Sequence, residues 1–186
     1  MVWMILTVIF IVLAFVSFWY GIWVLGVIFV ILNISLLWTW KLGAAWDPTP
    51  MKVIRKIVDY LDLKENDVVY DLGCGDGRFV IEVAKRYNCK AVGIEIDPIR
   101  YLIAKIRVKL LGLEDRVKIV WGNFFNYSLK DATVVFCFLT EEANRKLEIK
   151  FSKELQYGTI IVSYIWKFFG FTLINVIDDE IFVYIV

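Results

Sequence analysis

The first 40 residues contain no Asp, Glu, Lys or Arg, and this charge-free run constrains the fold more than any other feature of the chain. Only seven of these residues are not hydrophobic. As one helix the run would be about 60 Å long, whereas the hydrocarbon slab of a bilayer is roughly 30 Å thick. Two helices, approximately 2–18 and 22–40 with a turn near Gly21, match that thickness. Residues 1–40 are therefore predicted to form a membrane anchor of two transmembrane helices.

Aromatic residues and the first cations orient this predicted hairpin. Trp19, Tyr20 and Trp23 lie at its turn and Trp38 and Trp40 at its end, where amphipathic rings prefer the membrane interface. The cations that follow it are Lys41, Lys52, Arg55 and Lys56. The positive-inside rule then predicts an integral membrane protein whose following domain lies on the cytoplasmic side. A signal peptide would carry a basic start and a cleavage site, and a buried core segment would rarely lack charges for so long.

The remainder of the chain has the composition of one soluble domain, predicted to cover residues 45–186. All charged residues lie at or after Lys41, and the formal net charge of +1 gives no electrostatic footprint for nucleic acid. Because the chain has no His, Ser-His and Cys-His catalytic pairs and His-ligated metals are excluded. Its three Cys have no C-x-x-C spacing, which favours a reduced compartment. The composition therefore predicts neither a nucleic-acid partner nor a metal.

Helical and β-type patterns alternate from residue 48 onward. Strands are predicted at 68–70, 90–96, 117–120, 133–139, 159–165, 171–177 and 181–186, the last two joined by an acidic turn. Helices are predicted at about 50–61, 78–87, 98–111 and 141–154, with Thr49 as the N-cap of the first and Gly112 closing the third. This alternation predicts an α/β fold with a Rossmann-like, mostly parallel seven-stranded sheet and an antiparallel C-terminal hairpin.

The helix over 98–111 has an unusual charge pattern. Apolar Ile99, Leu102, Ile103, Ile106 and Leu110 recur at helical spacing. The charged residues of this helix are all basic: Arg100, Lys105, Arg107 and Lys109. A solvated basic face is the simpler interpretation, and contact with anionic lipid or a partner is the alternative.

A glycine-rich loop after the first predicted strand is the strongest local signal for chemistry. The segment Asp71-Leu-Gly73-Cys-Gly75-Asp-Gly opens a helix, and glycines there let the backbone approach a ligand. Glu95 ends the second strand, where a carboxylate can accept both hydroxyls of a ribose. A dinucleotide site would need its third glycine at Arg78, and an acid at position 71 would repel a pyrophosphate. Asp71 suits an amino-acid ammonium, which favours S-adenosylmethionine; a structural turn without a ligand is the alternative.

Four segments resemble class I S-adenosylmethionine-dependent methyltransferases. They are Asp71-Leu-Gly-Cys-Gly-Asp-Gly, Gly93-Ile-Glu-Ile-Asp-Pro, Gly112-Leu-Glu-Asp-Arg-Val and Gly122-Asn-Phe. More narrowly, residues 45–165 resemble small protein-lysine N-methyltransferases of archaea and mitochondria, which include the enzymes that modify the ATP synthase c-subunit and the adenine nucleotide translocase. The narrower segments are Trp46-Asp-Pro-Thr-Pro, Asp131-Ala-Thr-Val-Val, Asn144-Arg-Lys-Leu and Gly158-Thr-Ile-Ile-Val-Ser.

The resemblance implies a role for each matching position. Cofactor contacts are implied at Asp71, Gly73, Cys74, Gly75, Glu95, Ile96, Asn123 and Phe124. On the acceptor side the implied catalytic residues are Trp46, Thr49, Thr140 and Asn144, and Tyr164 and Trp166 are further candidates for aromatic walls. The chain departs from the family at Trp46, where Tyr is common, at Tyr164, near which the family often has a His, and at the Thr140 segment, where Leu-Pro is common.

The predicted reaction is direct in-line methyl transfer to lysine side chains of membrane or membrane-proximal proteins. Such a displacement needs alignment and exclusion of water, and it requires no metal. A dry pocket would lower the pKa of the acceptor lysine from its usual value of about 10.4. Two alternatives stay open at this point. One is methylation of a lipid or quinone, and the other is a nonenzymatic S-adenosylmethionine-binding protein.

Overall fold

The computed structural model describes residues 12, 15–16, 18–28 and 47–186, and within them the chain folds around one seven-stranded sheet. The strands are β1 (Val68–Leu72), β2 (Lys90–Glu95), β3 (Val117–Trp121), β4 (Val134–Cys137), β5 (Ile160–Tyr164), β6 (Thr172–Ile177) and β7 (Ile181–Ile185). The helices are α1 (Met51–Leu61), α2 (Arg78–Arg86), α3 (Pro98–Leu110) and α4 (Glu141–Glu154), with a short 3-10 turn at Phe124–Asn126.

The sheet confirms the predicted α/β class I methyltransferase architecture. The strand order is β3-β2-β1-β4-β5-β7-β6, in which β1 to β5 run parallel and β7 is antiparallel to both of its neighbours. The order reverses between β1 and β4, and α/β proteins bind ligands at the carboxyl ends of the strands at such a switch point. The fold therefore places a crevice where β1, β2 and β4 end.

Apolar side chains cover both faces of the sheet. On one face α1 and α2 pack Ile54, Ile57 and Phe79 against the strands, and none of the three is more than 1% exposed. On the other face α4 supplies Leu147 and Phe151, both fully buried. The three prolines occur only at Pro48, Pro50 and Pro98, outside every strand, as a paired sheet requires.

Of the two helix-end residues predicted from the sequence, the structure confirms one and contradicts the other. Gly112 closes α3 as predicted, with φ at +63° and with the Leu113 N–H donating to the Val108 carbonyl. Thr49 was wrongly predicted as the N-cap of the first helix. Pro50 occupies that position instead, and its carbonyl accepts from two N–H groups of the first turn without any side-chain cap. Thr49 is buried, with 7% exposure, and it lines a cavity.

Helix α3 turns its large apolar side chains away from the sheet. Its buried residues are the small Ala104 and Val108, whereas Leu102, Ile103, Ile106 and Leu110 are exposed. Ala104 Cβ would lie 3.2 Å from a Cβ built on Gly77, so small residues on both elements allow a close approach. The apolar side of α3 is therefore not the core side, although apolar periodicity usually marks the core.

Most of the predicted membrane hairpin lies outside the described residues. Residues 1–11, 13–14, 17 and 29–46 belong to that part, which includes the predicted catalytic Trp46. Residues 18–28 are helical and exposed. Among the residues that the structure describes, no helix has both the length and the apolar character needed to cross a bilayer.

Candidate active site

A cavity of about 350 Å³ opens at the carboxyl ends of the parallel strands. Its lining includes the eight residues with implied cofactor contacts, namely Asp71, Gly73, Cys74, Gly75, Glu95, Ile96, Asn123 and Phe124. Of the implied catalytic residues, Thr49 and Thr140 also line it. Asn144 does not, and Trp46 lies outside the described part of the chain. Residues from five loops thus meet in one space because β1 to β5 all run parallel.

The glycine-rich loop is held to β2 by backbone hydrogen bonds. The N–H groups of Gly73 and Cys74 both donate to the Ile94 carbonyl, at 2.9 and 3.1 Å. Gly73, Gly75 and Gly77 have φ values of +83°, +56° and +76°, which side chains with a Cβ rarely adopt. Glycine therefore occupies every second position because the backbone is in the left-handed region at these three residues, where the chain turns from β1 into α2.

The carboxylate of Glu95 is buried and has a fixed orientation. One oxygen accepts from the Gly75 N–H and the other from the Asp97 N–H, both at 2.8 Å. Burial raises the pKa of this carboxyl, and the two hydrogen bonds oppose that effect. The side chain bridges the glycine loop and the start of α3, and its position at the end of β2 suits hydroxyl donors of a ribose.

Two aspartates of the loop lie in opposite environments. Asp71 is 4% exposed, and no group in the described part of the chain donates a hydrogen bond to its carboxylate. Burial, together with the nearby Glu95 and Asp76, raises the pKa of Asp71 well above its usual value. Asp76 is also partly buried, but ion pairs with Arg78 and Arg107 outweigh that burial and lower its pKa.

This geometry fits the methionine and ribose parts of S-adenosylmethionine. A buried carboxylate without a partner calls for a cation, which the cofactor's ammonium group provides. A pyrophosphate would instead meet three carboxylates, those of Asp71, Asp76 and Glu95. The residues present therefore favour S-adenosylmethionine over a dinucleotide.

The end of the cavity where the resemblance places the adenine is apolar. Ile96, Phe124 and Phe125 line it, and the two phenyl rings lie with their centroids 4.7 Å apart. The side-chain oxygen of Asn123 accepts from the Phe125 N–H at 2.9 Å and so caps the 3-10 turn. That oxygen keeps a second lone pair for an adenine amine.

The end of the cavity where the resemblance places the methyl acceptor, called the acceptor end below, is formed by the loops that follow β4 and β5 and by the segment before α1. Leu139 and Thr140 come from the first loop, Trp166 from the second, and Asp47 and Thr49 from the segment before α1. Thr140 also caps α4, because its hydroxyl accepts from the Ala143 N–H at 3.3 Å. Thr49 is tied to the glycine loop through its carbonyl, which accepts from Arg78 at 3.2 Å.

Asn144 lies beneath the acceptor end and does not reach it. Its side chain is fully buried and donates to the Ser163 hydroxyl at 3.2 Å and to the Trp166 carbonyl at 3.0 Å. Ile165, between these two partners, has φ at +69°, a rare value for a β-branched residue. Asn144 therefore positions the strained turn that carries Trp166, and it does not itself line the cavity, so its predicted catalytic role stays a prediction.

Tyr164 does not form an aromatic wall of the cavity. It is 7% exposed, its ring packs 4.8 Å from Phe138, and its hydroxyl donates to Glu180. Sequence reasoning missed Asp47, Arg100 and Phe138 as lining residues. Asp47 and Phe138 lie beside predicted site residues, so adjacency was the available signal. Arg100 had been assigned only to a basic helix face.

Comparisons with known proteins agree with this site. The ANTKMT methyltransferase domain matches residues 71–174, more than half of the chain. A protein-lysine N-methyltransferase of Saccharolobus islandicus (strain REY15A) is 42% identical over 134 residues, which is 72% of this chain and 83% of that protein.

Solved structures give the same answer for the fold. A Salinibacter ruber RNA methyltransferase in complex with S-adenosyl-L-homocysteine has a TM-score of 0.70 and 35% identity, covering 74% of this chain and 91% of that one. A methyltransferase of Geobacter sulfurreducens, also in complex with S-adenosyl-L-homocysteine, shares the fold with a TM-score of 0.57 and 24% identity, over 72% of this chain and 53% of that one. The chain therefore belongs to the family defined by the ANTKMT methyltransferase domain, and it is a class I methyltransferase that uses S-adenosylmethionine.

Proposed function

We propose that the chain transfers methyl groups to lysine side chains of membrane or membrane-proximal proteins. The observation that carries this proposal is the lining of the cavity at the carboxyl ends of the strands. Asp71 and Glu95 mark its cofactor end, and it continues to an acceptor end at Thr49, Thr140 and Trp166. Leu139 and Trp166 at this end offer apolar contacts to the aliphatic part of a lysine side chain that brings its amine to the cofactor.

The chain's own residues perform the alignment. Bound S-adenosylmethionine supplies an electrophilic methyl carbon on a positively charged sulfur. Glu95 and the glycine loop fix the orientation of the cofactor, while Leu139 and Trp166 exclude water from the acceptor path. This apolar surrounding lowers the pKa of a lysine amine and so favours the neutral form that can react. Trp166 also offers an aromatic face that tolerates the cationic product.

Support for a lysine acceptor comes from the Saccharolobus islandicus relative, which is named for that activity and is similar over most of both chains. The Salinibacter ruber relative is named for RNA. A net charge of +1 argues against RNA here, since nucleic-acid proteins carry a basic footprint. Protein lysine is therefore the favoured acceptor.

We also propose that residues 1–40 anchor the protein in a membrane and that the catalytic domain lies on its cytoplasmic side. The support is the 40-residue run without a charge, followed by cations from Lys41 onward. Such an anchor would confine the site to acceptors near the bilayer, which is why membrane proteins are the proposed substrates.

A labelled-methyl assay on membranes from cells that express the chain tests the acceptor. The membranes are incubated with methyl-labelled S-adenosylmethionine and separated into protein, lipid and RNA, and the protein is hydrolysed. We expect label in methylated lysine, and we expect the Glu95→Ala variant to lose it. Label confined to lipid or to RNA would refute the lysine proposal, and cofactor binding without any label would indicate a nonenzymatic binder.

A further inference from the structure

The exposed side of α3 carries an apolar stripe that no described residue covers. We define the stripe as Leu102, Ile103, Ile106 and Leu110, which are 53%, 44%, 48% and 80% exposed. These positions lie within about 100° of each other on a helical wheel, opposite the buried Ala104 and Val108. Four large aliphatic side chains in one row are more than the single exposed apolar residues that ordinary surfaces show.

Two further exposed apolar side chains lie near α3, one after its C-terminal end and one on the neighbouring edge strand of the sheet. Leu111 follows α3 and is 44% exposed. Trp121 ends the edge strand β3 and is 63% exposed; its indole N–H donates to the Ile96 carbonyl and its ring lies 6.4 Å from that of Tyr101. The indole is thus held in place at the surface, as an interfacial anchor would be.

Cations flank the stripe on both sides, and α3 contains no acidic residue. Lys105 and Lys109 lie on one flank, and neither forms an ion pair within the described residues. Lys105 instead donates to the Tyr101 hydroxyl at 3.2 Å. Arg100 and Arg107 lie on the other flank, where Arg107 pairs with Asp76. The nearest acid in sequence is Asp97, the buried N-cap at the start of the helix, and the next ones after the helix, Glu114 and Asp115, follow the turn at Gly112 beyond the end of the stripe.

We infer that α3 docks on the surface of an anionic lipid bilayer, with the stripe in the interface and the lysines against lipid headgroups. An amphipathic helix with Leu and Ile on one side and Lys on its flanks is the kind that lies in the plane of a membrane. Its 13 residues span about 20 Å, enough to seat both lysine positions at one surface. This inference rests on the proposed membrane location but not on the proposed lysine acceptor.

Two other occupants fit the charges less well. The first 40 residues of the chain are apolar but carry no charge, so they offer no counter-charge to Lys105 and Lys109. A second copy in a two-fold dimer would place the same basic helix against itself, because such an interface uses one patch on both subunits. Charge complementarity therefore selects an anionic lipid surface.

Docking at α3 would bring the membrane close to the cofactor site. Asp97, the N-cap of α3, accepts from the Ile99 and Arg100 N–H groups and lies two residues after Glu95. Arg100 also lines the cavity. The helix that meets the lipid thus begins at the cavity, shortly after Glu95 on the chain. Docking of α3 would therefore fix the distance between the cavity and the bilayer surface.

A depth measurement on the full chain tests this inference. The three native cysteines are buried, so a fluorophore can be attached to a new cysteine in Ile106→Cys, and a matched control carries it in Ser152→Cys on α4, across the sheet. Each labelled chain is reconstituted into phosphatidylcholine vesicles with or without phosphatidylglycerol. Flotation reports whether the chain is membrane-bound, and nitroxide-labelled lipid quenches only a fluorophore at the membrane. Cofactor binding, measured in parallel, reports the fold.

We expect the label at 106 to shift to shorter wavelength and to lose emission to the quencher only when phosphatidylglycerol is present. The label at 152 should stay aqueous, and adding Lys105→Glu with Lys109→Glu should abolish the effect at 106. A chain that floats while the label at 106 stays aqueous would overturn the inference and leave the membrane location intact. An emission shift of the label at 106 that does not depend on lipid charge would also overturn the inference. It would indicate that the N-terminal segment covers the stripe, or that a second copy covers it if the shift depends on protein concentration. A chain that fails to float would overturn both.

Discussion

Asp71 and Asp76 line the same cavity, but their ionised carboxylates have opposite effects on the stability of the fold. Asp71 has no donor among the described residues and its pKa is raised by burial, whereas Asp76 is paired with two arginines and its pKa is lowered. By linkage, ionised Asp71 destabilises the cofactor-free fold, and this penalty develops as the pH rises above the unfolded pKa of about 3.9. Ionised Asp76 stabilises the fold above that pH and loses its contribution as the pH falls through its lowered pKa.

Substituting each aspartate by asparagine should therefore change stability in opposite directions. At neutral pH we expect Asp71→Asn to raise the Tm of the cofactor-free protein by roughly 2–4 °C, the shift that about 1 kcal/mol gives a domain of this size. The same variant should bind S-adenosylmethionine about tenfold to hundredfold more weakly, because a charge-assisted hydrogen bond contributes about 1.5–3 kcal/mol. Thermal unfolding at several pH values and calorimetric titration measure both.

Asp76→Asn is the matched control for this pair. It should lower the Tm at neutral pH, and the loss should fade as the pH falls below the lowered pKa of Asp76. If Asp71→Asn instead destabilised the cofactor-free protein, Asp71 would have a partner that the present geometry does not contain.

Gly93 shows a steric demand that the sequence motif alone does not explain. Its Cβ would lie 2.7 Å from Sγ and 2.9 Å from Cβ of Cys74, in the loop that bounds the cavity. We expect Gly93→Ala to destabilise the protein by about 1–3 kcal/mol, the usual cost of overpacking, and to weaken cofactor binding as the loop shifts. Denaturant unfolding measures the stability and titration measures the affinity.

Two further variants isolate the cause of that loss. Adding Cys74→Ala removes the nearer clashing atom, so the double variant should recover part of the stability. Gly122→Ala is the matched control, because a Cβ there meets nothing within 4 Å and its φ is not in the left-handed region; its effect should stay within about 0.5 kcal/mol. Equal losses in both glycine variants would contradict the contact with Cys74 as the cause, because removing a glycine's backbone entropy by itself stabilises the fold.

At the scale of elements, the sequence predicted the type of each secondary-structure element more reliably than which side of that element packs against the core. β-Branched runs such as 90–95 and 160–164 have only one stable role in an α/β chain, and all seven strands were found where predicted. Helix α3 was located correctly from its apolar spacing. Its orientation could not be predicted, since the choice depended on how closely Ala104 approaches Gly77 across two elements.

The link between α4 and the turn after β5 is an element-scale feature that the sequence did not reveal. Asn144 from α4 holds Ser163 and the carbonyl of Trp166, so it should act on methyl transfer through the position of Trp166. We expect Asn144→Ala to cost about 1–3 kcal/mol of stability, because it removes a buried donor to the Ser163 hydroxyl and leaves the Trp166 carbonyl with the hydrogen bond from Ser163. It should lower kcat severalfold more than it changes cofactor affinity. Steady-state kinetics and titration separate the two effects.

Asn88→Ala is the matched control for this link. Asn88 also donates a side-chain hydrogen bond, to Glu65 at 3.0 Å, but it is exposed and remote from the cavity lining. We expect its removal to change stability by less than about 0.5 kcal/mol and to leave kcat unchanged. A loss of cofactor affinity in Asn144→Ala equal to the loss in kcat would contradict a role confined to the acceptor end.

At the scale of the whole molecule, the topology explains why distant motifs form one site. Asp71, Glu95, Asn123, Thr140 and Trp166 are spread over about half of the chain, yet each follows or ends one of the five parallel strands. That assembly was predictable, because parallel strands bring their carboxyl ends to one edge. Residues such as Asp47 and Arg100 were not, since their reach into the cavity depends on side-chain packing rather than on strand order.

The described domain should fold without the charge-free N-terminal run. The segment before α1 contributes buried Thr49, and α1 contributes the fully buried Ile54, Ile57 and Val58, so the described residues from 47 onward supply packing for this face of the sheet. We expect a chain of residues 45–186 to bind S-adenosylmethionine with unchanged affinity and to show a single cooperative unfolding transition. It should also be released from membranes by an alkaline wash that retains the full chain. A chain of residues 64–186 is the control: it lacks α1, exposes the apolar face that α1 covers, and should fail to fold. If the 45–186 chain unfolded while the full chain stayed folded, the N-terminal run would be part of the domain's own packing, and its assignment as a separate anchor would fail.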